Sequence, residues 1–176
     1  MLSSRRIVIA CALILGALIA GCAPFRAPAE APVVVSAVVI RHTDGDTAWF
    51  RLADGTGEKV RFIGIDTPET AAGPEPLGEE ASAYTASAIP IGTRVWLEYD
   101  AELRDRHGRL LAYVWLERPL SGDAGEVRES MLNARILLDG YAQTLTIPPN
   151  VAYAEVLSAC QVEAREAQRG LWGLSD

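Results

Sequence analysis

At 176 residues, with 49% hydrophobic side chains and a mean hydropathy of +0.13, the chain has enough apolar material for one packed domain and is not the polar, core-less kind. Its 16 Lys and Arg against 23 Asp and Glu give a net charge of −7. That balance excludes a protein that grips polyanions through charge alone, because phosphate-driven binding needs a basic surface.

The first element is a leader. Arg5 and Arg6 precede an apolar run, Ile7 to Ala20, short of the roughly 20 residues a spanning helix needs. The run ends Leu18-Ile19-Ala20-Gly21-Cys22, small residues before a cysteine, which resembles the bacterial lipobox and makes Cys22 the lipidated first residue of an exported protein. An ordinary signal peptide and an uncleaved anchor are the alternative readings. Ala23 stands where an aspartate would signal inner-membrane retention, so the anchor is expected in the outer membrane. Without residues 1–21 the chain keeps 14 basic and 23 acidic residues, a net of −9. Residues 22–32, with Pro24, Pro28 and Pro32, read as a tether, and residues 33–176 as the single domain.

Within that domain Val33–Ile40 is β-branched and predicts a strand, followed by strands at Thr47–Leu52 and, after the turn Ala53-Asp54-Gly55-Thr56-Gly57, at Glu58–Ile65. Glu79–Ala88 predicts a helix stopped by Pro90. Arg94–Tyr99 and Leu110–Leu116 are the fourth and fifth strands. Val127–Leu138 predicts a second helix closed by Gly140, and a third begins with Asn150 as N-cap, with Tyr153, Leu157, Cys160 and Ala164 at helical spacing. Five short strands and three α-helices in this order predict a five-stranded Greek-key barrel of the oligonucleotide/oligosaccharide-binding type, an α+β fold. Cys160 is expected to be a buried, inert thiol. Trp49, Trp96, Trp115 and Trp172 are expected mainly in the core, and His42 and His107 without a cysteine pair do not make a zinc site.

Three segments concentrate polar residues at strand ends: Asp44-Gly45-Asp46-Thr47, Asp66-Thr67-Pro68-Glu69-Thr70 and Asp105-Arg106-His107-Gly108-Arg109. Singly each is a turn, a helix start or a surface pair. Together they suit a metal-dependent phosphodiesterase. A hard cation such as Ca²⁺ takes oxygen ligands at about 2.3–2.6 Å. Asp46 and Asp66 can supply carboxylates, and the Asp66–Pro68 turn a backbone carbonyl. Hydrolysis also needs a base for water and donors for the charge that builds on phosphate, roles for which Glu69, Arg61 and Arg109 are the candidates.

Val39–Thr47, Val60–Thr70, Gly78–Tyr84, Asp105–Tyr113, Met131–Ala142, Pro148–Asn150 and Gly170–Trp172 resemble the successive motifs of staphylococcal nuclease-like domains, over about residues 33–173. The resemblance implies that Asp46, Asp66 and the carbonyl of Thr67 ligate calcium. It also implies that Arg61, Glu69 and Arg109 are catalytic, with Glu69 as the base, and that Asp44 supports the ligands from behind. It further implies a monomer that cuts DNA or RNA to leave 3′-phosphate ends. Leu145 and Ile147 replace tyrosines that the family often places on the nucleotide, His107 replaces a further aromatic, and Lys59 is the chain's one lysine. Weaker substrate affinity with intact chemistry is therefore expected, since stacking is worth about 1–3 kcal/mol per base. A non-catalytic binding module and an envelope interaction lipoprotein are the rival classes; the presence of Asp46, Arg61, Asp66, Glu69 and Arg109 together favours the enzyme.

Overall fold

The computed structural model describes residues 31–70 and 75–174; the leader, Cys22, most of the tether and part of the loop after Glu69 lie outside it. Strand β1 (Val34–His42) pairs antiparallel with β2 (Thr47–Leu52), and β2 with β3 (Gly57–Phe62). After helix α1 (Gly78–Ala88), strand β5 (Arg94–Glu98) pairs back onto β1, and β6 (Leu110–Trp115) runs antiparallel to β5 and parallel to β3, which closes the barrel. Alternation decides which residues fill it. Ala48 and Phe50, Val60 and Phe62, Val95 and Leu97, Leu110 and Ala112 point inward and are buried, while Trp49, Lys59, Arg61, Arg109 and Leu111 lie on the outer face.

The third predicted strand, Glu58–Ile65, is in fact two. Gly64 adopts φ 81°, a left-handed conformation that ends the ladder and strains any other residue, and a Cβ there would lie 2.6 Å from Leu157 Cδ1, so Leu157 would have to shift. The chain resumes as β4 (Gly64–Asp66), which pairs with β7 (Gln143–Leu145), a strand that the local pattern does not predict. The described residues thus contain seven strands, five of them in the barrel.

The predicted helix Val127–Leu138 is also two, making four α-helices rather than three: α2 (Ala124–Ser130) and α3 (Leu132–Leu138). Met131 is extended, at φ −89° and ψ 121°, because strand β6 captures it: Met131 bridges Trp115, and the Leu116 N–H donates to Ser130 O at 2.8 Å. Buried Asn133 then ties α3 to the sheet, accepting from the Val114 N–H (2.9 Å) and donating to Ile63 O (2.8 Å). Helix α4 (Ala154–Glu166) starts later than expected. Asn150 does not cap it; its Oδ1 accepts from the Glu102 N–H at 2.7 Å and its Nδ2 donates to Glu102 O at 3.0 Å, which clips the segment before α4 to the loop after β5. Cys160 is buried and free, its thiol pushed up by burial. Of the tryptophans only Trp115 is fully buried; Trp49, Trp96 and Trp172 are half-buried. Among the described residues no helix is long and apolar enough to cross a membrane.

Candidate active site

The β1–β2 turn, the end of β4 and the outer face of β3 meet around one carboxylate. Asp46 is 1% exposed, and a carboxylate that buried needs partners on every lone pair. Its Oδ2 accepts from the Thr67 N–H (2.9 Å) and hydroxyl (3.2 Å), and its Oδ1 from the Thr47 hydroxyl (3.0 Å) and from Arg61 Nη1. The close approach of the two loops depends on Gly45, where a Cβ would sit 2.8 Å from the Thr67 side chain, and on Thr85 of α1, whose hydroxyl donates to Gly45 O at 2.6 Å. Behind it, Asp44 Oδ1 accepts from the Asp46 N–H at 3.2 Å. Burial pushes the Asp44 carboxyl above its ordinary range, against the pull of Arg61, Thr47 and Lys59.

Arg61 joins this buried acid to an exposed one. Its Nη2 donates to Asp66 Oδ1 at 2.5 Å and to Ile65 O at 3.2 Å while Nη1 meets Asp46. Asp66 is 55% exposed. Two residues past Thr67, Glu69 is pinned by its backbone: its N–H donates to Glu75 Oε2 and its carbonyl accepts from the Glu75 N–H, both at 3.1 Å. The Glu69 residue is exposed, placed beside Asp66 and Thr67 by the chain itself rather than by a contact with them.

Arg109 arrives from the start of β6. Asp105 holds it, accepting from the Arg109 N–H at 2.9 Å and from Nε at 2.7 Å, across a turn in which Gly108 takes φ 77°. Burial would raise the Asp105 carboxyl, but the bonds from Arg109 and from the His107 N–H outweigh it and hold Asp105 below its ordinary range. The clamp uses Nε alone, so the terminal amino groups of Arg109 stand outside it. Arg61 and Arg109 line the same cleft of about 510 Å³, whose apolar walls include Ile65, Leu111, Leu145 and Ile147. Leu145 reaches the cleft because β7 sets it opposite Gly64.

In the cleft the terminal amino groups of Arg109 stand outside its clamp, whereas those of Arg61 are engaged by Asp46, Asp66 and Ile65 O; Asp46, Asp66, Thr67 and Glu69 lie beside the cleft and do not line it. Among the described residues no three His, Cys, Asp or Glu side chains gather as a metal cluster. The donor set is two carboxylates already sharing one cation, with the Thr67 backbone in hydrogen-bond contact with the first. A hard cation that fills its other positions with water or substrate oxygens suits that set. Asp105 and Asn150 line the cleft and Thr85 holds the Gly45 turn; none of the three was among the predicted functional residues. The one local signal was the Asp105–Arg109 spacing, which reads equally as a surface pair.

A profile of the family described as Staphylococcal nuclease homologue matches residues 59–174. A thermonuclease of Staphylococcus intermedius is 37% identical over 155 residues, 86% of this chain and 84% of the relative. A thermonuclease of Staphylococcus hyicus is 36% identical over 137 residues, 76% of this chain and 73% of that one. Endonuclease YhcR of Bacillus subtilis (strain 168) is 29% identical over 160 residues, 85% of this chain and 12% of that much longer protein.

Proposed function

The chain belongs to the staphylococcal nuclease homologue family, and from that premise we propose that its cleft is the active site of a calcium-dependent nuclease that cuts DNA, RNA or both to leave 3′-phosphate ends. The observation that carries this reading is the sharing of Arg61 between Asp46 and Asp66, with Arg109 facing the same cleft. Asp46, Asp66 and the Thr67 carbonyl would hold the cation. When bound, calcium supplies Lewis-acid polarisation of the phosphate and neutralises part of its charge.

The chain's own residues do the rest. With Asp46 and Asp66 otherwise compensated, the Arg61 donors are released to phosphate oxygens. Arg109, oriented by Asp105, presents its terminal amino groups to the same phosphate, and both forks stabilise the charge that grows as water attacks. Glu69 takes the proton of that water as the new P–O bond forms and the bond to the 5′ oxygen breaks, the departing 5′ oxygen taking a proton from solvent water to leave as a hydroxyl. Asp44 supports Asp46 from behind. The apolar walls, with Leu145 and Ile147, give the nucleoside no stacking ring, so substrate is held more weakly than by a tyrosine-lined cleft while the hydrolytic step is kept. We extend this to an exported protein anchored by a lipid at Cys22, in the outer membrane, supported by the leader sequence alone, and to a monomer, supported by the family resemblance.

The test is cleavage of single-stranded DNA with Ca²⁺ and with EGTA, by wild type and Glu69→Gln. We expect cleavage in calcium only, and a loss of about 10²–10⁴-fold in the variant, the usual worth of a positioned base. Cleavage that persists in EGTA, or is equal in both proteins, overturns the mechanism. No cleavage by wild type at any calcium level favours the binding-module reading.

A further inference from the structure

The barrel's outer face carries a second feature beside the catalytic cleft. Across β1, β2 and β3 the ladder sets Arg41 opposite Trp49 and Trp49 opposite Lys59. The parallel register of β3 and β6, Val60 against Leu110, places Lys59 next to Arg109. These side chains form one row across four strands, about 14 Å at three strand spacings, ending on the arginine of the active site. The Arg41 guanidinium lies over the Trp49 ring, 4.6 Å from its centroid. That stacking holds the side chain by its flat face and leaves its in-plane N–H groups directed outward. Trp49, Lys59 and Arg109 also line a hollow of about 310 Å³, and Arg109 and His107 belong to both this hollow and the catalytic cleft, so the two adjoin. The one carboxylate lining the hollow, Glu58, is taken by both amino groups of Arg104 at 2.7 and 3.0 Å.

We propose that Arg41, Trp49 and Lys59 form a subsite for the nucleic-acid strand that flanks the phosphate being cut, Lys59 and Arg41 taking the neighbouring phosphates. The alternative, a solvated charged face, does not account for the row. In a chain of net charge −7 the single lysine and an aromatic-backed arginine stand in register with a catalytic arginine, and the lysine lines a hollow whose own acid is already paired. The subsite rests on the nuclease reading, and it explains how an acidic protein with an apolar cleft can hold a polyanion: contacts are few, and they lie beside the reaction rather than at the base.

The experiment compares a single-stranded DNA 12-mer with a dinucleotide that has one phosphodiester, for wild type, Arg41→Gln, Lys59→Gln and the double variant, in calcium. We expect KM for the 12-mer to rise about 5–10-fold in the double variant, with kcat unchanged and dinucleotide kinetics unchanged. The slope of log KM against log salt should fall by about 0.7 for each cation removed, as for single strands. An equal loss on both substrates, or no change on the 12-mer, overturns the subsite. If wild type cuts neither substrate the nuclease reading fails, and anisotropy of a labelled 12-mer decides the subsite separately: variants that bind as tightly as wild type overturn it.

Discussion

Two carboxylate clusters in this molecule are built on opposite principles. Around Glu98 the partners are neutral and fixed: Trp115 Nε1 donates at 2.7 Å, and the Tyr153 hydroxyl lies 3.0 Å from both oxygens. Beside it, Asp100 accepts from the Tyr113 hydroxyl (3.1 Å) and the Ala152 N–H (3.0 Å). The donors sit on rings locked edge-to-face, Tyr113 against Tyr153 at 4.8 Å, so they cannot leave without unpacking the wall between β5, β6 and α4. Around Asp46 and Asp66 the shared partner is a charged guanidinium on a long side chain that can let go. Acids closed by rigid neutral donors hold a fold together; acids closed by a movable cation can exchange it for another. The contrast separates a structural cluster from the candidate site.

The sharpest way to break that contrast is to remove the shared partner. Arg61→Ala should lower kcat by about 10²–10³, the range for losing one preorganised donor to a developing anion. Tm should fall as well, because buried Asp46 loses its one charged partner, although its bonds from Thr67 and Thr47 remain and the exposed Asp66 is solvated by water. Steady-state kinetics and a thermal melt on one preparation decide it. A variant that melts many degrees early while keeping its kcat would make Arg61 a structural brace and erase the difference between the clusters.

The grouping of Asp46, Arg61 and Asp66 in the candidate site was legible because its signals are local. Asp44–Thr47 and Asp66–Glu69 lie within single turns, and strand alternation puts Val60 and Phe62, and Val95 and Leu97, in the core. The failures are all long-range. Gln143–Leu145 is three residues long, with nothing in its pattern to announce a strand, and it becomes one because β4 needs a partner. The helix break at Met131 leaves no mark in the apolar spacing of Val127–Leu138, since its cause is Trp115 on another element. Asn150 has the chemistry of an N-cap, but its partner is Glu102, 48 residues earlier. Propensity records what a residue can do, and tertiary contacts choose among the options.

Tyr153→Phe tests the other cluster at smaller scale. It deletes one donor to Glu98 and keeps the ring that packs on Tyr113 and Trp115. The expected loss is about 1.5 kcal/mol, since hydrogen bonds to charged groups run about 1.5–3. For a domain of this size that is about 3–6 °C in Tm, with kcat and KM unchanged. A fall in kcat would show that this wall is coupled to the cleft after all.

The smallest effect is one of sign. Burial pushes the Glu98 carboxyl above its ordinary value of 4.5, with Asp100 adding to it and the bonds from Trp115 and Tyr153 pulling back. The folded state therefore binds the Glu98 proton more tightly than the unfolded state. Its contribution to stability is full below the unfolded value and is lost as pH rises through the higher folded one. Acids such as Asp105 and Glu126 are held low and act in the reverse sense, losing their contribution as pH falls, so wild type alone gives a mixed curve. The difference between wild type and Glu98→Gln isolates the one group. From about pH 4 upward the Tm advantage of wild type over the variant should shrink, by a few degrees at most, and then level off. If the advantage grows with pH instead, Glu98 is an ionised acceptor held low by its donors, and the two clusters differ in what closes them but not in the charge they carry.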